Sequence, residues 1–208
     1  MKLHCVPASP SARKVIAVAA ALRVPLEVVH LDVQAGALQS PEYLALNPNG
    51  KFPTLVDGDF VLWESNAIMQ YIASKNPSGL WPSDQRAQID VLRWQFWESA
   101  HWSPHCSVMI WENWAKAKFF NMGAADPVRI ALAEEQFHKA ALVLDKHLEK
   151  NQWLANDDLT LADLSVGVFL DYAKIANYPA LDGYHNLQRW FTLLSAQPAW
   201  LASEMPMD

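Results

Sequence analysis

Four stretches of this 208-residue chain bring together residue types able to do chemistry. Glu64-Ser65 stands where a short strand gives way to an apolar-periodic run. A carboxylate and a hydroxyl there meet backbone N–H groups with no partner inside the helix, a setting suited to holding an anion. Ser9-Pro10 marks a second helix start, since proline favours the first helical position and serine the cap before it. A hydroxyl at that end sits in the positive field of the helix. Ser11 is the rival hydroxyl on the next residues of the same turn. Phe52-Pro53 lies at the entrance to a strand, where a proline removes a ladder donor and is tolerated only in special geometry. The fourth stretch is 93–102, RWQFWESAHW. Trp97, His101 and His105 recur there at intervals of four and share one helical face, with Trp102 beside them. Such a stripe is either core packing or the aromatic wall of a pocket. His101 and His105 have a metal-ligand spacing, but Pro104 separates them and no third ligand is near in sequence, so no metal is expected.

The elements that must position these groups follow from periodicity and punctuation. Residues 3–6 read as a strand, followed by a helix from Pro10 with Val15, Ile16, Ala19 and Leu22 on its apolar face. Pro25 closes it and 26–31 form a second strand. Residues 34–46 read as a loop with one short turn at Ser40-Pro41-Glu42. Val56 runs into Asp57-Gly58, a hairpin pair, and 60–63 return as a strand before the helix at Ser65. The order β-α-β-loop-β-β-α resembles a thioredoxin-like domain of α+β type. Prolines, a glycine and a serine cluster over 76–82 as in a linker. Beyond it only helices are expected: 84–117, bent near Pro104; one from Asp126-Pro127 to about Leu148; one opened by Thr160-Leu161-Ala162-Asp163, a capping box with Asp for Glu, running to about Ile175; and one over 184–196 closed by Pro198. The expected domains are 1–76, thioredoxin-like, and 83–208, an all-α helical bundle.

Asn47-Pro48-Asn49-Gly50-Lys51-Phe52-Pro53-Thr54-Leu55, then a hairpin, then Glu64-Ser65-Asn66-Ala67-Ile68, resembles the pattern N-P-x-G-[KQ]-x-P-x-L … E-S-x-A-I of the glutathione transferases. Spacing, hairpin and helix start agree, and the helical second domain with its S/T-x-x-D box extends the likeness to nearly the whole chain. The resemblance implies a cis bond before Pro53, with the main chain of Phe52 offered to the cysteine of glutathione. It implies that Glu64 and Ser65 hold the γ-glutamyl end and Lys51 the glycyl end. Where the family often has a basic or imidazole residue for the glycyl carboxylate, this chain has Leu38-Gln39, which leaves Gln39 as the candidate. Ser9, four residues before Arg13, is similar to the catalytic serine of the serine-type, theta- or phi-like, bacterial members. Ser9-Pro10-Ser11-Ala12-Arg13 also resembles the C-P-x-A segment of cysteine-type members, with serine in place of the thiol. Mixed-disulfide chemistry is thereby removed.

That likeness implies a chemistry of modest energetic demand. A free thiol has a pKa of about 8.5, and each unit of lowering takes about 1.4 kcal/mol of preference for the thiolate. A hydroxyl and a helix N-terminus aimed at the sulfur supply that preference. Ser9 satisfies both conditions, although a plain N-cap serine would look the same. The family places the electrophile against the first helix of the second domain, which makes Trp97, His101, Trp102 and His105 the candidates for that pocket. The partners implied are glutathione, a small hydrophobic electrophile and a second copy of the chain in a homodimer.

Composition narrows the remaining classes. A formal charge of −6 argues against nucleic acid, and no apolar run is long enough to span a membrane. Cys5 and Cys106 are too few for a disulfide framework, and the N-terminus carries no signal-peptide pattern, so a reducing cytoplasm is expected. The expected function is a glutathione transferase. The alternatives are a non-catalytic binding or regulatory protein on the same scaffold, and a glutathione-dependent isomerase or dehalogenase.

Overall fold

Leu3 and Cys5 are fully buried on alternate positions of the first strand, β1 (Lys2–Cys5), and they set the core of a four-stranded sheet. The structure, a computed structural model, describes residues 1–179 and 181–203. β1 pairs in parallel with β2 (Glu27–His30) and antiparallel with β3 (Thr54–Asp57), which pairs antiparallel with β4 (Phe60–Trp63). The spatial order is β2-β1-β3-β4. Leu3 stands opposite both Val28 and Leu55, so one register places the apolar side chains of three strands in a row. Asp57 pairs with Phe60 across a tight turn, and Gly58 there has φ +65°, which a side chain would resist.

Helix α1 (Pro10–Ala21) buries Ala12, Val15, Val18 and Ala19. The stretch read as a loop contains a short 3-10 turn and a six-residue helix, α2 (Pro41–Leu46), whose start is fixed by Pro41 and by the Ser40 hydroxyl accepting from Tyr43 N–H at 3.2 Å. Too few residues are present for a periodic pattern, and cap chemistry alone specifies it. Helix α3 (Ser65–Lys75) follows β4 directly and buries Ile68, Met69, Ile72 and Ala73.

The chain divides into two compact units. The first comprises 1–78 together with residues from 197 onward; the second comprises 79–196. The boundary expectation of 83–208 for the helical part therefore differs at its end. Helix α10 (Pro198–Leu201) packs on α1, where the Arg13 guanidinium lies 5.0 Å from the Trp200 ring.

The second unit takes its regular elements from helices, joined by irregular segments, among its described residues. α4 (Gln85–Trp97), α5 (Ser103–Ile110) and α6 (Lys116–Lys118) form one run interrupted by two π turns, 98–102 and 111–115. Pro104 opens α5 immediately after the first π turn, where a missing N–H is best tolerated. α7 (Pro127–Leu148) begins at Asp126, whose carboxylate accepts from Val128 and Arg129 N–H. The Thr160 box opens α8 (Leu161–Gly167), which passes into a 3-10 turn at 168–172, and α9 (His185–Ser195) closes the unit.

Candidate active site

The loop before Pro53 is anchored from beneath. Buried Asn47 donates to the Lys51 carbonyl at 2.7 Å and to Thr54 Oγ1 at 3.1 Å, while its own Oδ1 accepts from Asn49 N–H and Nδ2. The Tyr43 hydroxyl reaches the same two partners, donating to Lys51 O at 2.6 Å and lying 3.0 Å from Thr54 Oγ1. Gly50 has φ +58°, and a Cβ there would stand 2.9 Å from Gln39 Nε2 and 3.1 Å from the Leu38 carbonyl. Glycine is thus required twice over, by conformation and by the close pass of the 38–39 segment. The Phe52–Pro53 bond that follows is cis.

Across from this loop, Glu64 adopts φ 72°, ψ 109°, an uncommon conformation for a residue with a Cβ. Its side chain does not cap α3, and the first N–H groups of that helix have no partner within it. A residue held in an uncommon conformation at an uncapped helix start marks a place shaped for something other than folding. Between the two walls lies a cavity of about 200 Å³ lined by Lys51, Phe52, Pro53, Glu64 and Ser65, with Asn47 and Asn49 below.

Ser11 is on that cavity's wall and Ser9 is not. Of the two serines, the one on the wall is thus Ser11, the rival candidate. Ser9 occupies the N-cap of α1 in extended conformation, and its carbonyl accepts from Ala12 and Arg13 N–H, yet its hydroxyl makes no capping bond. Gln39 is outside the wall but packs against Gly50, next to Lys51. Asn47 opens the motif read in the sequence, whereas Tyr43, outside it, was not singled out. Its role shows only in the structure, where Tyr43 and Asn47 share the Lys51 carbonyl and Thr54 Oγ1 as partners.

In the helical unit a second cavity, of about 210 Å³, is lined by Trp97, His101 and His105 on one side and by Gln136, Lys139, Ala140 and Val143 of α7 on the other. Burial and the neighbouring His101 lower the pKa of His105, so its neutral form is favoured. Trp102 does not join them. It is fully buried, donates from Nε1 to the Val166 carbonyl at 3.0 Å and stacks on Phe137 at 4.9 Å. One residue further along a helix is about 100° further round, which turns Trp102 from the cavity into the core. Among the described residues no three His, Cys, Asp or Glu side chains gather to hold a metal. Cys5 is buried, and burial pushes its thiol up to about 12, which leaves it a packing residue. No described helix is long and apolar enough to cross a membrane.

Comparison with known proteins gives a consistent picture. The profile "Glutathione S-transferase, N-terminal domain" matches residues 1–74, and "Glutathione S-transferase, C-terminal domain" matches 124–198. Glutathione S-transferase 3 of Zea mays is 34% identical over 206 residues, covering 96% of this chain and 91% of that protein. A probable glutathione S-transferase, GSTF2, of Oryza sativa subsp. japonica is 32% identical over 96% of this chain and 93% of its own. The crystal structure of glutathione transferase F7 from Populus trichocarpa superposes with a TM-score of 0.89 at 25% identity, covering 97% of this chain and 96% of that one.

Proposed function

The chain belongs to the glutathione transferase family, and from that premise we propose that its first unit binds glutathione and makes its thiol acidic, so that the sulfur attacks a small apolar electrophile. The observation that carries this reading is the cavity where the Phe52–Pro53 loop faces the uncapped start of α3. Each part of the peptide has a complementary group there. The Phe52 backbone pairs with the cysteinyl unit. The Ser65 hydroxyl and the N–H groups of α3 take the γ-glutamyl carboxylate, and the Glu64 carboxylate takes its ammonium. Lys51, with Gln39 behind it, approaches the glycyl carboxylate.

The chemical step is one of proton loss and bond formation. The thiol proton leaves to solvent, the sulfur lone pair forms a carbon–sulfur bond, and the electrophile's leaving group departs or its double bond takes the electron pair. The protein's share is stabilisation of the thiolate and alignment of the reactants. Ser9 is the proposed donor to the sulfur, because its hydroxyl is unspent on the helix it caps. Ser11, on the cavity wall, is the competing donor.

We assign the electrophile to the helical cavity of Trp97, His101 and His105, an aromatic-walled site of suitable chemistry. The chain acts in the cytoplasm as a homodimer. Exposed Phe96, Leu132, Leu142 and Val143 on the helical unit supply apolar surface for a second copy. Val143→Glu separates these two assignments. A raised KM for the electrophile at unchanged mass by light scattering favours the substrate site, and loss of the dimer favours the interface.

The test of the main reading is the absorbance of the glutathione thiolate, titrated with pH in the presence of wild type, Ser9→Ala and Ser11→Ala. A bound thiol at least about one unit more acidic than free thiol, with the shift lost in Ser9→Ala, supports the mechanism. Loss in Ser11→Ala instead transfers the role. Binding with no shift in wild type removes the catalytic reading and leaves a glutathione-binding protein.

A further inference from the structure

The loop wall of the glutathione cavity rests on a hydrogen-bond network whose protons can be counted. Helix α2 sets Tyr43 and Asn47 one turn apart, with Asn47 N–H donating to the Tyr43 carbonyl at 2.9 Å. Tyr43, Asn47 and Thr54 are all buried. The Lys51 carbonyl accepts from the Tyr43 hydroxyl at 2.6 Å and from Asn47 Nδ2 at 2.7 Å, which occupies both of its lone pairs. The phenol has a single proton and uses it there, so in the 3.0 Å contact with Thr54 Oγ1 the threonine is the donor. Asn47 places its other amide proton on the same Oγ1. Burial raises the Tyr43 pKa, which keeps that proton on the phenol. A phenylalanine would pack the same ring with no buried hydroxyl to satisfy. What the tyrosine adds is its bond to the Lys51 carbonyl and an acceptor for Thr54.

That carbonyl shares one peptide group with the Phe52 N–H. The Lys51–Phe52 bond is trans, so its C=O and N–H point in opposite directions. Two donors on the oxygen fix the plane of the amide, and the bonds accepted there polarise the N–H on its other side into a stronger donor. We propose that Tyr43 is a positioning residue for glutathione: by gripping the Lys51 carbonyl from beneath, its hydroxyl aims and strengthens the Phe52 N–H that meets the carbonyl of the cysteinyl unit. This rests on the glutathione reading of the cavity, whose wall includes Lys51, Phe52 and Pro53. Tyr43 is not on that wall, so it acts through the backbone and touches no ligand. The cysteinyl unit carries the reacting sulfur, and how firmly its backbone is seated decides how often the thiol is presented for reaction.

The experiment measures calorimetric Kd on the full-length chain for S-methylglutathione, which keeps the peptide backbone but has no free thiol. Tyr43→Phe should weaken it about fivefold, the scale of one neutral hydrogen bond. In turnover, KM for glutathione should rise by a similar factor while kcat at saturation holds, the pattern of lost uniform binding. In amide NMR the Phe52 proton of the free variant should lie upfield of wild type, and the shift induced there by S-methylglutathione should shrink. Thr160→Ala, in the helical unit, is the control: it lowers the urea midpoint and should leave both Kd and the Phe52 proton where they are. A Tyr43 that only supports the fold would behave like that control. If Tyr43→Phe does not fold, wild type carries the test. A ligand drawing on the Phe52 N–H strengthens the bonds at the carbonyl of the same amide, so the Tyr43 hydroxyl proton should move downfield when S-methylglutathione is added. Equal Kd in variant and wild type, an unmoved Phe52 proton in the variant, or a Tyr43 hydroxyl proton that ignores the ligand overturns the assignment of Tyr43. Failure of wild type to bind S-methylglutathione at all overturns the glutathione reading as well, so the two failures are told apart.

Discussion

Two helix starts in this molecule have the same problem and opposite solutions. At α8 every donor is used. The Asp163 carboxylate, fully buried, accepts from Leu154 N–H, Thr160 N–H and Trp190 Nε1, each at 2.9 Å, and from the Thr160 hydroxyl at 3.2 Å. The Thr160 hydroxyl in turn accepts from Ala162 N–H. At α3 the cap residue Glu64 makes no side-chain cap and holds a positive φ. The same contrast runs along the chain. Ser40, Asp84 and Asp126 cap α2, α4 and α7, and Asp145 reaches across from α7 to accept from Asn186 and Leu187 N–H at the start of α9. α1 and α3, the two helices whose first residues lie on the cavity wall, have no side-chain cap, as is also true of α5, α6 and α10. Donors that folding does not consume are available to a ligand.

The saturated start should break hardest. Asp163→Ala strands buried donors and should cost about 3 kcal/mol in urea denaturation; a loss under about 1 kcal/mol would contradict the network's importance. Its titration gives a second handle. Burial raises the Asp163 pKa to about 6, against the four hydrogen bonds that favour the anion. The native state then holds this proton where the unfolded chain has lost it. The contribution to stability is present below about pH 4 and disappears as pH rises through about 6. Denaturation midpoints of wild type and Asp163→Asn across that window should diverge in slope, and parallel curves would remove the claim.

At the open start of α1 the signature reverses. Ser9→Ala should lower the conjugation rate about a hundredfold, as expected for loss of one donor to a developing anion, yet shift stability by less than about 0.5 kcal/mol. A stability loss with normal turnover would instead make Ser9 an ordinary cap. Thr160→Ala is the counterpart on the closed helix, and should cost about 1 kcal/mol without touching the KM for glutathione. The smallest effect is expected at Glu64→Gly. Glycine accepts the positive φ, so the thermal midpoint should rise slightly, by about 1 kcal/mol equivalent or less, while glutathione binding weakens. A rise in both would mean that the strain at Glu64 serves no ligand.

Much of this was legible in the chain itself. The β-α-β and β-β-α order follows from Pro10, Pro25 and Asp57-Gly58, which punctuate short apolar runs. Asp126-Pro127 and the Thr160 box announced their helices because caps are local: donor and acceptor lie within one turn. Pro53 stood out because its backbone demand is written in residue type. The reading of 34–46 as a loop missed α2, since six residues carry no period. Trp102 was grouped with Trp97 and His101 by sequence proximity, and only packing on Phe137 and Val166 sends it inward.

Sequence alone determined which residues could hold an anion, cap a helix or bend the chain, because those properties depend on a side chain and its near neighbours. Tertiary structure decided the rest: that Asp145 spends itself on α9 some 41 residues away, that α10 packs with α1, that Ser11 and not Ser9 lines the cavity, and that Lys14 of α1 reaches Asn66 of α3. Each of these turns on where distant segments meet, and a meeting between segments is a property of the packed core rather than of any one stretch.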